Sequence, residues 1–143
     1  MLLLAARGKN YSFYRAGEVV LCRVFQRKEL TSVEGAQCAD EISRTAQKLV
    51  VDSCARYFIF DIRHGPPVFG PKTEAALGAL FAHLAKIHVG IRCLVSDNPL
   101  QEMQYGRLLR DVAPRRHEVV KTFALACDSA HTTRGLHEPP PEA

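Results

Sequence analysis

Residues 57–84, YFIFDIRHGPPVFGPKTEAALGALFAHL, join an apolar run of strand length to a helical pattern across a glycine- and proline-rich loop. The run from Tyr57 to Ile62 is apolar at both alternating sets of positions except for Asp61 near its end. Such a strand is covered on both faces, and one that leads directly into a helix returns to its sheet only by a crossover. Gly65-Pro66-Pro67 interrupts regular structure, and Pro71 suits a first helical turn, where its missing N–H has no partner to lose. Leu77, Leu80, Phe81, Leu84 and Ile87 then recur at helical spacing. This unit restricts the chain to the α/β class.

The flanking segments repeat the alternation. Tyr11–Tyr14 and Val19–Phe25 are two β-type runs around Gly17, the pattern of a hairpin. Thr31-Ser32-Val33-Glu34 has the form of a capping box. It opens a helix to about Cys54 with the stripe Val33, Ala36, Ala39, Ile42, Ala46, Leu49 and Val50. Ile91–Val95 reads as a further strand. Asn98-Pro99 starts a third helix with Leu100, Met103, Leu108, Leu109 and Val112 as its apolar positions, and Pro114 stops it. His117–Phe123 reads as the last strand and Ala124 to about Ala130 as a short final helix. The order is ββαβαβαβα, an α/β fold whose mixed, mostly parallel sheet of about five strands has helices packed against it. Residues 1–9 read as an N-terminal tail or an extra edge segment, residues 10–130 as one domain, and the proline-rich residues 131–143 as a disordered C-terminal tail.

An apolar fraction of 47% and a charged fraction of 24% are those of an ordinary globular protein. The net charge of +4 is mild and the basic residues are scattered. No aromatic–basic stripe suggests nucleic acid, so no nucleic-acid partner is expected. Five cysteines without a CxxC suit a reducing, cytoplasmic location rather than a disulfide framework or a zinc site. No run approaches the ~18 apolar residues of a membrane span. No cofactor, metal or catalytic residue is assigned.

The element order and three stretches resemble a known family. Glu18-Val19-Val20-Leu21, Phe58-Ile59-Phe60-Asp61-Ile62 and Leu77-Gly78-Ala79-Leu80-Phe81, with Arg116–Phe123 and the alanine-rich helix after it, are similar to a STAS-type domain. This is the fold of bacterial anti-sigma factor antagonists, and the resemblance covers roughly residues 10 to 130. It implies a stand-alone, STAS-like regulatory module that docks a protein partner. In the antagonists the loop after the third strand carries a phosphorylatable serine in an Asp-Ser-Ser-Gly-like motif. Here the matching stretch is Phe69-Gly70-Pro71-Lys72-Thr73, and Thr73 is the only hydroxyl nearby. A second resemblance is to receiver domains: Asp61, Ser96 and Lys121 stand like the aspartate, hydroxyl and lysine of that family. The acidic pair such a site needs for magnesium is replaced by Gln26-Arg27-Lys28-Glu29.

The expected function is therefore a non-catalytic protein-interaction module, with a regulatory protein as partner and a second copy of the chain as a further candidate. Its docking surface is expected at Arg63, His64, Gly70, Lys72 and Thr73. One alternative is a small ligand or anion held at the helix start Gly70–Thr73. Another is a phosphoacceptor at Asp61 or Thr73. The simpler expectation for Asp61 is a carboxylate that anchors its loop or pairs with Arg63. His64, His83, His88 and His117 share no ligand spacing and read as surface or partly buried side chains. Arg107, Arg110, Arg115 and Arg116 read as complements to a helix C-terminus.

Overall fold

The computed structural model describes residues 1–128 and 136–141. The elements are β1 (Leu3–Arg7), β2 (Tyr11–Ala16), β3 (Val19–Phe25), α1 (Ser32–Asp52), β4 (Tyr57–His64), α2 (Pro71–Lys86), β5 (Gly90–Leu94), α3 (Pro99–Val112), β6 (His117–Val120) and α4 (Phe123–Asp128). They form a six-stranded sheet in the order β1-β2-β3-β4-β5-β6. The pairs β1/β2 and β2/β3 are antiparallel, and the other three are parallel.

Local chemistry sets the boundaries. Gly17 has a φ of +53° and, with Glu18, closes the two-residue turn between the paired Ala16 and Val19. The Thr31 hydroxyl accepts from the Glu34 N–H while the Glu34 carboxylate accepts from the Thr31 N–H, a complete capping box. Asn98 caps α3 by accepting from the Leu100 N–H.

Two expectations are corrected. The sheet has six strands rather than about five, because Leu3–Arg7 pairs along β2 as an extra edge segment and does not trail as a tail. Gly8 permits that return: a Cβ there would lie 2.2 Å from the Tyr11 ring. The last strand stops at Val120, since the Thr122 hydroxyl accepts from the Leu125 N–H and starts α4 at Phe123.

Strands β3 to β6 follow one another in sequence order. Each right-handed crossover therefore deposits its helix on the same face of the sheet. Ile42 and Ala46 of α1, Leu77, Leu80 and Leu84 of α2, and Leu108 and Leu109 of α3 bury against Val20, Cys22, Phe58, Phe60, Ile91 and Cys93. The opposite face carries Tyr14, Val19, Leu21, Ile59 and Leu94 beneath Phe123 and Ala126 of the six-residue α4. That thinner cover is where the polar groups of the strands gather.

Individual helix positions also differ from the sequence pattern, although Ala39, Ile42, Ala46 and Val50 of α1 and Leu108 and Leu109 of α3 are buried as expected. In α3 the inward positions are Gln101, Tyr105, Leu108 and Leu109, at i, i+4, i+7 and i+8. Leu100 and Met103 thereby face outward, at 56% and 68% exposure. The buried stripe of α1 begins at Cys38, and Val33 five residues earlier is exposed.

Phe60 sits at the centre of the larger core, 5.9 Å from Phe58, 5.5 Å from Phe81 and 6.0 Å from Tyr105 between ring centroids. Truncating it opens a cavity that three rigid rings close poorly. Phe60→Ala is predicted to lower unfolding stability by about 3–5 kcal/mol. Urea denaturation checks this, with a lower midpoint and an unchanged slope expected.

Candidate functional site

Arg23 and Asp61 stand opposite each other in the parallel register of β3 and β4, on the face covered by α4. Both are buried, at 5% and 2% exposure. A charge inside an apolar strand is stable only with partners, and here the partners form a chain. Arg63, two residues on, lies on the same face. Its Nε donates to Asp61 Oδ1 at 3.0 Å and its Nη2 to Oδ2 at 2.9 Å, with the Arg63 backbone N–H 3.2 Å from Oδ1. Arg23 Nε is 3.5 Å from Asp61 Oδ2. The hydrogen bonds Arg63 donates to Asp61 outweigh burial and, with help from Glu138, hold the guanidinium above its ordinary pKa.

Two guanidinium groups against one carboxylate leave a positive charge, and residues 138–140 answer it. Glu138 Oε1 accepts from Arg63 Nη2 and lies 3.3 Å from Arg23 Nη2. The Pro139 carbonyl accepts from Arg23 Nη2 at 2.6 Å and the Pro140 carbonyl from Nη1 at 2.9 Å. Proline carbonyls in an extended segment have no N–H neighbour to satisfy them, which suits them to a buried arginine. Pro139 is itself buried. The proline-rich end, expected to be disordered, therefore lies across the strand ends over residues 136–141, while residues 129–135 and 142–143 fall outside the described residues. A groove of about 650 Å³ runs beside it, lined by Phe25, Gln26, Arg27 and His64 as well as by Arg23 and Glu138.

The loop between β4 and α2 is fixed from α3. Gln101 is 1% exposed. Its Oε1 accepts from the Ser96 N–H at 2.8 Å and hydroxyl at 2.9 Å, and its Nε2 donates to the Ile62 carbonyl at 2.7 Å. Gln104 brackets Phe69, donating to its carbonyl at 2.9 Å and accepting from its N–H at 3.0 Å. The Phe69 ring meets Tyr105 edge-on at 4.8 Å.

The structure divides the residues singled out in the sequence. Asp61 and Arg63 join one buried network, and His64 lines the groove next to it. Gly70 caps α2 without a side-chain bond, Lys72 is exposed and Thr73 half-buried, and none of the three lines that groove. Both Asp61 oxygens face arginines and the carboxylate has almost no solvent exposure, an arrangement that leaves an incoming phosphoryl group no access. Burial pushes the Cys22 and Cys93 thiols up, and the Asp61 charge adds to the effect. Both thiols are thereby kept protonated and unreactive near neutral pH.

Sequence reasoning missed Arg23, Gln101, Gln104 and Glu138. A signal for the first existed: VVLCRVF and FIFDI each carry one charge, of opposite sign, late in an apolar run. Nothing local marks the glutamines or Glu138 as partners of residues more than thirty positions away. No protein-family model matches the chain, and no curated protein matches it.

Removing the shared anion leaves two arginines facing each other. Asp61→Asn is predicted to cost about 3–5 kcal/mol in chemical denaturation, as for other broken buried pairs. Glu74→Gln, which breaks an exposed pair with Arg107 at 3.7 Å, is predicted to cost less than about 1 kcal/mol. Equal effects from the two would contradict the burial argument.

Proposed function

We propose that the chain is a non-catalytic, STAS-like regulatory module that works in the cytoplasm by docking an extended, acidic and proline-containing segment of a protein partner. The docking face is the C-terminal end of β3 and β4, centred on Arg23, Arg63 and His64. It continues along the loop to Gly70, Lys72 and Thr73.

One observation carries this reading. The chain's own residues 138–140 already lie in that manner, with a carboxylate on Arg63 and two backbone carbonyls on Arg23. Backbone carbonyls and one acid are features many extended segments share, so the groove's chemistry does not restrict it to this tail. Bracing of the neighbouring loop by Gln101 and Gln104 supports recognition by a preformed surface, which avoids the entropy cost of ordering a loop on binding. The buried thiols, Cys22, Cys38 and Cys93, suit a reducing compartment. On this reading the tail competes with the partner, and the occupied state is the resting one.

A fluorescent peptide with the sequence of residues 134–143, added to the full chain, tests the competition. Wild type, with Arg23 and Arg63 already engaged by its own tail, is expected to bind weakly. Glu138→Lys places a cation against Arg63 and loosens the tail, so that variant is expected to bind the peptide at least about tenfold more tightly, a difference of 1.4 kcal/mol. Equal binding by the two chains would show that the tail does not occupy the docking face.

A further inference from the structure

At the other end of the same face lies a second charged feature. We propose that the open cleft at the N-terminal ends of β4, β5 and β6 is a binding site for a small phosphate monoester.

Backbone pairing brings the cleft's residues together. The Gly90 N–H donates to the Arg56 carbonyl at 2.8 Å, and the Ile91 N–H to the Arg116 carbonyl at 2.6 Å. Arg56 and Arg116 thus flank Gly90 on neighbouring strands. Arg92, two residues along β5, and Arg115 complete the lining. Four guanidinium groups share the space with a single carboxylate, Glu118, which lies 3.8 Å from Arg92 Nε. Arg56 reaches Glu18 only at 4.0 Å, and Arg115 makes no hydrogen bond or ion pair among the described residues. Glu118 answers Arg92 and Glu18 answers Arg56, so among the described residues Arg115 and Arg116 have no acid to balance them.

The floor of the cleft suits a ligand, and its rim adds a donor. Gly90 forms the floor: a Cβ there would come within 3.1 Å of the Tyr57 ring and 3.3 Å of Arg92 Nη1. Any side chain at this position would intrude on the cleft. His88, at the rim, has a φ of +63° because it closes α2: its N–H donates to the Ala85 carbonyl at 3.1 Å and the Val89 N–H to the Leu84 carbonyl at 2.9 Å. The imidazole is held by Arg116, whose Nη2 is 3.0 Å from His88 Nδ1. A guanidinium only donates, so Nδ1 accepts and the ring proton sits on Nε2 as a further donor.

The chemistry and size select the ligand. Guanidinium forks match the oxygens of a phosphate two at a time, and a dianion offsets more of the excess charge than a carboxylate does. The cleft encloses about 230 Å³. That is below the ~300–1,000 Å³ typical of sites for whole drug-sized molecules, so a phosphate group on a short stem fits and a dinucleotide does not. Arg115 and Arg116, two of the four arginines read in the sequence as complements to the end of α3, thus gain a second role, shared with Arg56 and Arg92.

The test is a titration of the full chain followed by amide and guanidinium NMR shifts at constant ionic strength, with phenyl phosphate, inorganic phosphate and benzoate as probes. Saturable binding of phenyl phosphate is expected, at least tenfold tighter than benzoate. Inorganic phosphate binding as tightly would identify the phosphate alone as the ligand, and weaker binding would assign part of the affinity to the ester's organic portion. Arg115→Gln, at an exposed position without a partner, is expected to weaken binding at least tenfold while leaving the melting temperature unchanged. Gly90→Ala is expected to abolish it by filling the floor. Absence of saturable binding, equal affinity for benzoate, or unchanged affinity in Arg115→Gln would overturn the proposal.

Discussion

A buried carboxylate between two arginines is the interaction on which the less covered face of this protein depends. Asp61 is a residue that the surrounding strand gives no reason to tolerate. Its neighbours Phe60 and Ile62 are core residues, and its cross-strand partner is another charge, Arg23. The carboxylate persists because Arg63 supplies a two-pronged hydrogen bond and Arg23 a second cation. The excess positive charge that results is what the C-terminal segment meets with Glu138 and two proline carbonyls. Strand pairing, charge balance and the position of the tail are one linked problem with one solution.

The topology explains why this chemistry lies on one side. Sequential right-handed crossovers stack α1, α2 and α3 on a single face and fill it with Phe58, Phe60, Phe81 and aliphatic side chains. Among the described residues, the other face receives α4 and the tail. Polar side chains projecting there reach one another and water, so two charged features form at opposite ends of the strands. At the C-terminal ends an anion is buried among cations and the balance is met from within the chain. At the N-terminal ends the cations outnumber the anions and the balance is left open. Among the described residues, that contrast separates an internally satisfied network from the cleft proposed as a phosphate site.

Much of the fold was legible from the sequence because its determinants are local. The Thr31–Glu34 capping box, the Gly17 turn, Pro71 and Asn98-Pro99 each mark an element boundary through bonds within a few residues. The first strand was ambiguous because an edge strand is decided by its pairing with a neighbour, which Gly8 permits but does not announce. The start of α3 was misread because Gln101 takes an inward position that hydropathy assigns to Leu100. Its burial is stabilised by bonds to Ser96 and Ile62, and the latter lies 39 residues away. The charged features were hidden for the same reason. Arg23 and Pro140 are separated by 117 residues, and the arginine cleft draws on three different strand beginnings. Composition alone reads three consecutive prolines as a disordered end, and only the position of Arg23 in the folded sheet gives their carbonyls donors.

The central claim is that Arg23, Asp61 and Arg63 hold the C-terminal segment on the sheet. Heteronuclear ¹⁵N relaxation at the amides of Leu136, His137 and Glu138 tests it most directly, because it reads order on the ps–ns timescale at these residues. The account predicts an order parameter at Glu138 near the ~0.85 of rigid backbone in the wild-type chain, falling below ~0.6 in Arg23→Met. A Glu138 amide as mobile in the wild type as in that variant would contradict it.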